Sequence, residues 1–305
     1  MSGTIQRADI VEIDPTIIAQ EALTVLTAEL NLVRNVTKDS ELVPESQRGA
    51  VKGGSTISVP KTGTVVAHQK AEGGDVLIQN PGMDKVDITL DQHWEVTISP
   101  EDYAQAVADR NIQDTYLGDM VRALAEKMES VTAAVIDTFD EEIDATAGID
   151  EDDILAARKF LTNNRAPMAG RFGYLESGAI NKLLKIDRFT EVAKYGSGAP
   201  IQTGELGTIH GFRTFESIFV PSAGSPTTYS NVLMHRRAIV LATRPLPKPR
   251  GPGVEVAVVT DPVSGITMRA LYSYNANKLG DQLTLDVLFG VGKLREELAV
   301  RVLTR

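Results

Sequence analysis

Gly53-Gly54-Ser55-Thr56-Ile57-Ser58-Val59-Pro60, then Val86-Asp87-Ile88-Thr89-Leu90, then Ser99-Pro100-Glu101-Asp102 punctuate the stretch, residues 53–143, whose reading decides the fold. Ile57 and Val59 alternate with Thr56 and Ser58. Gly63, Gly73-Gly74 and Pro81-Gly82 break the following residues into short strands and turns. Val86, Ile88 and Leu90 alternate with Asp87, Thr89 and Asp91, and Trp94, Val96 and Ile98 with Glu95 and Thr97. A period of two marks half-buried strands. The return strand is expected to pair with residues 55–60, leaving 61–85 as a protruding arm. The arm has few large apolar residues and cannot fold on a core of its own. Ser99-Pro100-Glu101-Asp102 then reads as a helix start: N-cap, Pro at the first helical position, acidic first turn. Leu117, Met120, Val121, Leu124, Met128, Val131, Val135 and Phe139 follow at spacings of three and four. One helix over residues 111–143 would be about 50 Å long at roughly 1.5 Å per residue. Its single apolar stripe suits a helix lying across a sheet better than a coiled coil. A sheet-like arm in need of a partner, joined to a long rigid helix, is the pattern of a building block more than of an enzyme.

Upstream, Asp14-Pro15 opens a helical pattern carried by Ile18, Ala22, Val25, Leu26 and Leu30, and the polar Lys38–Lys52 stretch reads as an extended connector. Downstream, Asp150 with Glu151, Asp152 and Asp153 caps a helix through Ile154, Ala157, Phe160 and Leu161. Another helix covers about Glu176 to Lys185, and Lys194–Gly207 is a Gly-rich exposed loop. The segment from Gly207 to Arg213 turns into a strand ending by Pro221. Alternation at Val254–Val259, Ile266–Tyr274, Leu283–Phe289 and Leu298–Val302 then predicts an antiparallel sheet. The fold class is α+β.

A chain of 305 residues with 42% hydrophobic and 24% charged residues is long enough for a sizeable core. It contains no apolar run of bilayer length and no signal peptide at Met1, so a cytoplasmic site of synthesis is expected. The sequon Asn35-Val36-Thr37 is then a chance match. Without cysteine there is no disulfide, thiolate nucleophile or cysteine-ligated zinc. The net charge is −10, with no cationic cluster beyond Arg236-Arg237 and Lys248-Pro249-Arg250, which argues against tight nucleic-acid binding. A container for nucleic acid is compatible, because a wall that gripped the polyanion would hinder its movement.

Chemistry-bearing motifs are weak. Gly290-Val291-Gly292-Lys293 lacks the spaced glycine and the Ser/Thr of a phosphate loop and reads as a turn between strands. The four histidines, His68, His93, His210 and His235, fall on different elements, and alternation puts Asp91 and His93 together on an exposed face as a solvated pair. Asp140, Glu142, Asp144 and Glu151 occupy calcium-loop positions one, three, five and twelve, but Ala145 stands where the sharp turn requires Gly, so a solvated acidic linker is expected. No catalytic, cofactor-binding or metal residue is assigned, no cofactor is expected, and function is sought in assembly.

The order of segments resembles the major capsid (coat) protein family of tailed bacteriophages, a fold shared with encapsulin shells. Asp14 to Leu23 looks like the family's N-terminal arm helix, Gly54 to Pro60 like the strand into its extended loop, and Val86 to Ile98 like the return. Gly204-Glu205-Leu206-Gly207-Thr208-Ile209-His210-Gly211-Phe212-Arg213 with Glu216-Ser217 is similar to a recurring coat turn and strand, followed by His235 to Ala242. The resemblance implies an N-terminal arm at 1–44, an extended β-hairpin loop with flanking strands at 45–98 and a spine helix of the peripheral domain at 99–149. An axial domain at 150–245 and C-terminal strands of the peripheral domain at 246–305 complete it. It implies a structural protein, not an enzyme. Copies would assemble as hexamers and pentamers into an icosahedral head, located in the virion and assembled in the host cytoplasm. The head would enclose double-stranded DNA without sequence-specific binding and without a membrane. Scaffolding, portal and decoration proteins are the further partners implied. The few residues before Asp14 point to a separate scaffolding protein or none. Lys61, Lys70 and Asn80 are the loop residues a covalent crosslink would use, and nothing marks one as catalysed. The alternatives are an encapsulin-type compartment with protein cargo and a cytoplasmic α+β enzyme.

Overall fold

A computed structural model describes residues 30–42, 56–63, 65–80, 82–107, 112–186, 207–249, 253–260 and 265–305, with isolated positions 20, 22 and 24. In chain order the elements begin with helix α1 (Leu32–Asn35), strand β1 (Thr37–Lys38), α2 (Asp39–Leu42), β2 (Thr56–Thr62), β3 (Met83–Thr89) and β4 (Gln92–Ile98). Next come α3 (Asp102–Val107), α4 (Ile112–Ala134), β5 (Glu142–Asp144), α5 (Glu151–Asn163), β6 (Arg171–Leu175) and α6 (Ser177–Leu184). The remainder is β7 (Thr208–Ile209), β8 (Phe212–Glu216), β9 (Ser222–Ala223), β10 (Thr228–His235), β11 (Ile239–Thr243), β12 (Val254–Thr260), β13 (Thr267–Asn275), β14 (Gly280–Lys293) and β15 (Ala299–Thr304).

Two large sheets organise these elements, beside the two-stranded ladder of β2 and β3. The first has the order β1-β11-β14-β13-β12, with β4 also paired to β14. β14 is long enough to pair with β13 and then β11 along one side and with β4 along the other, so that Phe289 faces both Thr243 and Gln92. The second has the order β5-β15-β10-β6-β8-β7, with β9 on β10. Besides the passage from β4 to β5 through α3 and α4, the chain makes two tight crossings between the sheets, from β10 to β11 through a 3-10 turn at Arg236–Ala238 and from β14 to β15 through one at Glu296–Leu298. The crossings are tied to each other: the Leu294 and Arg295 N–H groups both donate to the Ala238 carbonyl, at 2.8 and 3.2 Å. Strand pairing therefore crosses the segment boundaries drawn from sequence, since β15 joins β10 and β5.

The alternation seen in β14 has its physical reason here. Leu283, Leu285, Val287 and Phe289 are buried under α4, whose own stripe is Met120, Val121, Leu124, Ala125 and Met128. The helix does lie across a sheet, but it is shorter than residues 111–143. Its regular part has 23 residues, then tightens to a 3-10 turn at Val135–Thr138, and residues 142–144 form β5. Val131, Thr132, Val135, Ile136 and Thr138 are β-branched and stiff in a helix, and the Thr132 and Thr138 hydroxyls donate back to Met128 O and Val135 O. Parallel pairing with β15 then draws the chain into strand.

Four other expectations are corrected. The return strand is two strands: β3 pairs with β2 over seven residues, and β4 leaves the hairpin to join β14. The helix start at Ser99 moves to Asp102, because Glu101 bridges Gly280 and the Asp102 N–H donates to Leu279 O at 2.8 Å. Residues 38–42 are docked rather than a connector: β1 pairs parallel with β11, and Thr37, Lys38 and Asp39 are buried. Gly290–Lys293 is no turn but the end of β14. At Gly290 a Cβ would overlap the Thr89 carbonyl, and at Gly292 it would press on Ile88, so these glycines let the base of the β2–β3 hairpin lie against the sheet. Ile57, Val59, Ile88, Leu90, Val240, Ala242 and Leu294 form the small core that this contact creates.

The helices of the second sheet follow the sequence closely. Asp150 and Asp153 form a reciprocal capping box at the start of α5, with bonds of 3.1 and 3.0 Å, and Ile154, Ala157 and Leu161 face inward. Glu176 caps α6 through the Gly178 and Ala179 N–H groups. The β7–β8 hairpin turns on His210 and Gly211, both with positive φ, as a two-residue primed turn requires. The helical pattern from Asp14 and the loop from Lys194 lie largely or wholly outside the described residues.

Candidate assembly surface

Between Thr62 and Met83 the ladder of β2 and β3 ends and the chain runs on as an arm. Its described residues, 63, 65–80 and 82, form no strand. Among them the backbone-to-backbone bonds are Gly63 N–H to Gly82 O at 3.4 Å and Gly74 N–H to Ala71 O at 3.1 Å. The Gln79 side-chain amide ties the two limbs together, accepting from the Val66 N–H at 2.9 Å and donating to the Val66 carbonyl. Val65, Val66, Val76, Leu77 and Ile78 all point into solvent, Ile78 at 90% exposure. Extended backbone with open donors and acceptors, flanked by exposed branched aliphatic side chains, is a template for pairing with another chain. A second exposed apolar site is Ile218, 85% exposed at the rim of a groove of about 520 Å³ lined by Arg122, Glu126, Glu129, Ser217 and Phe219.

Lys70, Asn80 and His68 sit on the arm and are exposed, and Lys61 in β2 has its Nζ 3.9 Å from Glu297. His93 does not pair with Asp91, as alternation suggested. It reaches the buried Asp286 at 3.2 Å, which Arg269 grips through Nε and a terminal nitrogen, while Asp91 accepts from Gln92. His210 meets Glu151 at 3.1 Å. His235 is buried, its Nδ1 accepting from the Arg237 N–H and its Nε2 donating to Ala169 O, and burial pushes its pKa below the usual imidazole value. The four calcium-loop carboxylates are not brought together. Asp140 donates its own N–H to Glu296, Glu142 pairs with Arg301 at 2.9 Å, Asp144 accepts from Thr146 and Glu151 faces His210. Among the described residues no cluster of His, Asp and Glu has metal-site geometry.

The buried charges that sequence reading missed lie where the N-terminal segment meets both sheets. Glu129, on the inner face of α4 and 3% exposed, accepts from the N–H groups of Asn31 and Leu32 and, at 3.4 Å, from the Tyr174 hydroxyl. Lys38 is also buried and donates to Val33 O. A glutamate among apolar helix positions, eight residues after Val121 and one after Met128, was the available signal.

This arrangement of two linked sheets, a helix across one of them and a hairpin arm beyond the core has counterparts among solved structures. The capsid structure of cyanophage P-SCSP1u superposes with a TM-score of 0.64 at 14% identity, covering 89% of this chain and 86% of that one. A structure from Mycobacterium phage Che8 gives 0.61 at 18% identity, covering 86% and 89%, and the acidic stable capsid of Helicobacter pylori bacteriophage KHP30 gives 0.59 at 12%, covering 100% and 94%. No protein-family model matches the sequence, and no curated protein does. The architecture is α+β, and the particular fold is the major capsid fold of tailed bacteriophages.

Proposed function

We propose that the chain is the structural major capsid protein of a tailed phage, acting by self-assembly and not by catalysis. The single observation that carries this reading is the arm at 63–82, which has exposed aliphatic side chains and open backbone groups and gains stability only against another chain. In this reading the arm of one copy lies on a neighbour, and copies gather as hexamers and pentamers that close an icosahedral shell around double-stranded DNA in the virion. The acidic net charge of −10 supports a wall that contains a polyanion without gripping it. Scaffolding, portal and decoration proteins are the partners such a shell would take. Negative-stain microscopy of the purified full chain across a range of salt tests the reading. Shells, tubes or capsomers are expected, and a small globular oligomer under every condition would refute it. Shells that form around a co-purifying protein instead of DNA would move the reading to an encapsulin-type compartment.

A further inference from the structure

We propose that the Glu129 carboxyl is a proton-operated latch that holds residues 30–42 onto α4, closing more tightly when it is protonated. The geometry comes first. Glu129 Oε1 accepts from both the Asn31 and Leu32 N–H groups at the start of α1, and Oε2 lies 3.1 Å from the Leu32 nitrogen and 3.4 Å from the Tyr174 hydroxyl of β6. That hydroxyl is in turn 2.6 Å from Ser217 Oγ, beyond β8. One side chain therefore joins the N-terminal segment, the long helix and the second sheet, across sequence separations of 97, 98 and 45 residues. Leu32, Val33 and Val36, which its bonds seat, are fully buried.

The charged neighbours decide the sign. On its own helix Arg122 and Glu126 line the same groove, and Glu216 and Ser217 line it from the second sheet. From the docked segment Lys38 interacts with it electrostatically, and Glu41, Asp39 and Arg236 act on Lys38 in turn. Burial outweighs the donated hydrogen bonds and raises the Glu129 pKa to about 7. When the segment lifts, the carboxyl is hydrated and returns to its ordinary value of 4.5. The docked state thus binds a proton that the lifted state releases, so docking tightens as pH falls through 7 and the gain is complete below about 4.5. Burial lowers Lys38 to about 8, which favours docking only as pH rises above that value. Between pH 5.5 and 7.5 the glutamate governs, and docking changes by about twentyfold.

Hydrogen exchange of the full chain tests this. Protection of the amides at 32–36, corrected for intrinsic exchange, is expected to fall about twentyfold between pH 5.5 and 7.5. Glu129→Gln keeps an oxygen acceptor and removes the titration, so its protection should be flat over that range. A flat wild-type profile, or an equal slope in the variant, overturns the proposal. Should Glu129→Gln not fold, infrared titration of the wild-type chain serves instead. One carboxyl losing its proton near pH 7 supports the latch, and none titrating above pH 6 overturns it.

Discussion

Gly290 stands where β14 passes under the base of the arm hairpin, and a methyl group there would meet the Thr89 carbonyl. Gly290→Ala should force β3 away from the sheet and cost roughly 1–3 kcal/mol, the usual penalty of overpacking a fitted contact. Paired urea melts measure it, and an unchanged midpoint would show that the hairpin base can shift freely. The sequence displayed this glycine pair but could not give its reason, because the strand it accommodates lies some 200 residues away along the chain. His93 shows the same limit. Its exposed strand face was legible, while its partner Asp286 was not. His235 carries a second residue-scale prediction. Burial lowers its pKa, so its neutral form belongs to the folded state and the unfolded chain takes up more protons as pH falls through 6.5. The stability that the neutral ring provides is present above 6.5 and is lost below it. Wild type should therefore lose more of its advantage over His235→Asn at pH 5 than at pH 7.5, and an advantage that grows in acid would contradict the assignment.

At the scale of elements, helix starts and strand alternation were the most readable features, because each depends on a few neighbouring residues. Asp150 with Asp153 caps α5 where the sequence placed it, and Asp150→Ala should cost about 1 kcal/mol of stability, read as a lower Tm. No change in Tm would mean that solvent replaces the cap at no loss. The end of α4 was not readable. The apolar spacing continues through Val135 to Phe139, but parallel pairing with β15 takes over beyond it, and pairing partners distant in sequence leave no local trace. The two-residue strand β1 escaped for the same reason, since Thr37 and Lys38 are polar and are buried by β11. The arm belongs to this scale too. Thr62 and Met83 end the ladder opposite each other, so an Asn-Gly turn can replace residues 63–82. That variant should keep the stability of the parent subunit and lose assembly, as checked by urea melts with sedimentation. Loss of folding would show that the arm belongs to the core.

At the scale of the whole molecule, the two large sheets among the described residues are stitched by the hydrogen-bonded crossings at Ala238 and Leu294, with the N-terminal segment held where they meet. Segment order along the chain carried the α+β class and the resemblance to the capsid fold, and the superpositions agree with both at identities of 18% or less. Packing constraints at this scale survive when individual residues do not, so the order of arm, hairpin, helix and sheets was legible without any single specific motif. The candidate surface was legible as a Gly-broken arm with few large apolar residues between strands of period two. A receiving surface was not, because in the proposed assembly it would belong to another copy and leaves no mark beside the arm in the sequence. Cryo-electron microscopy of particles assembled from the purified chain tests the central claim most directly. Residues 63–82 should lie on a neighbouring copy, with their backbone groups and Val76, Leu77 and Ile78 covered by it, whereas an arm folded back on its own subunit or left in solvent within a closed shell would contradict the account.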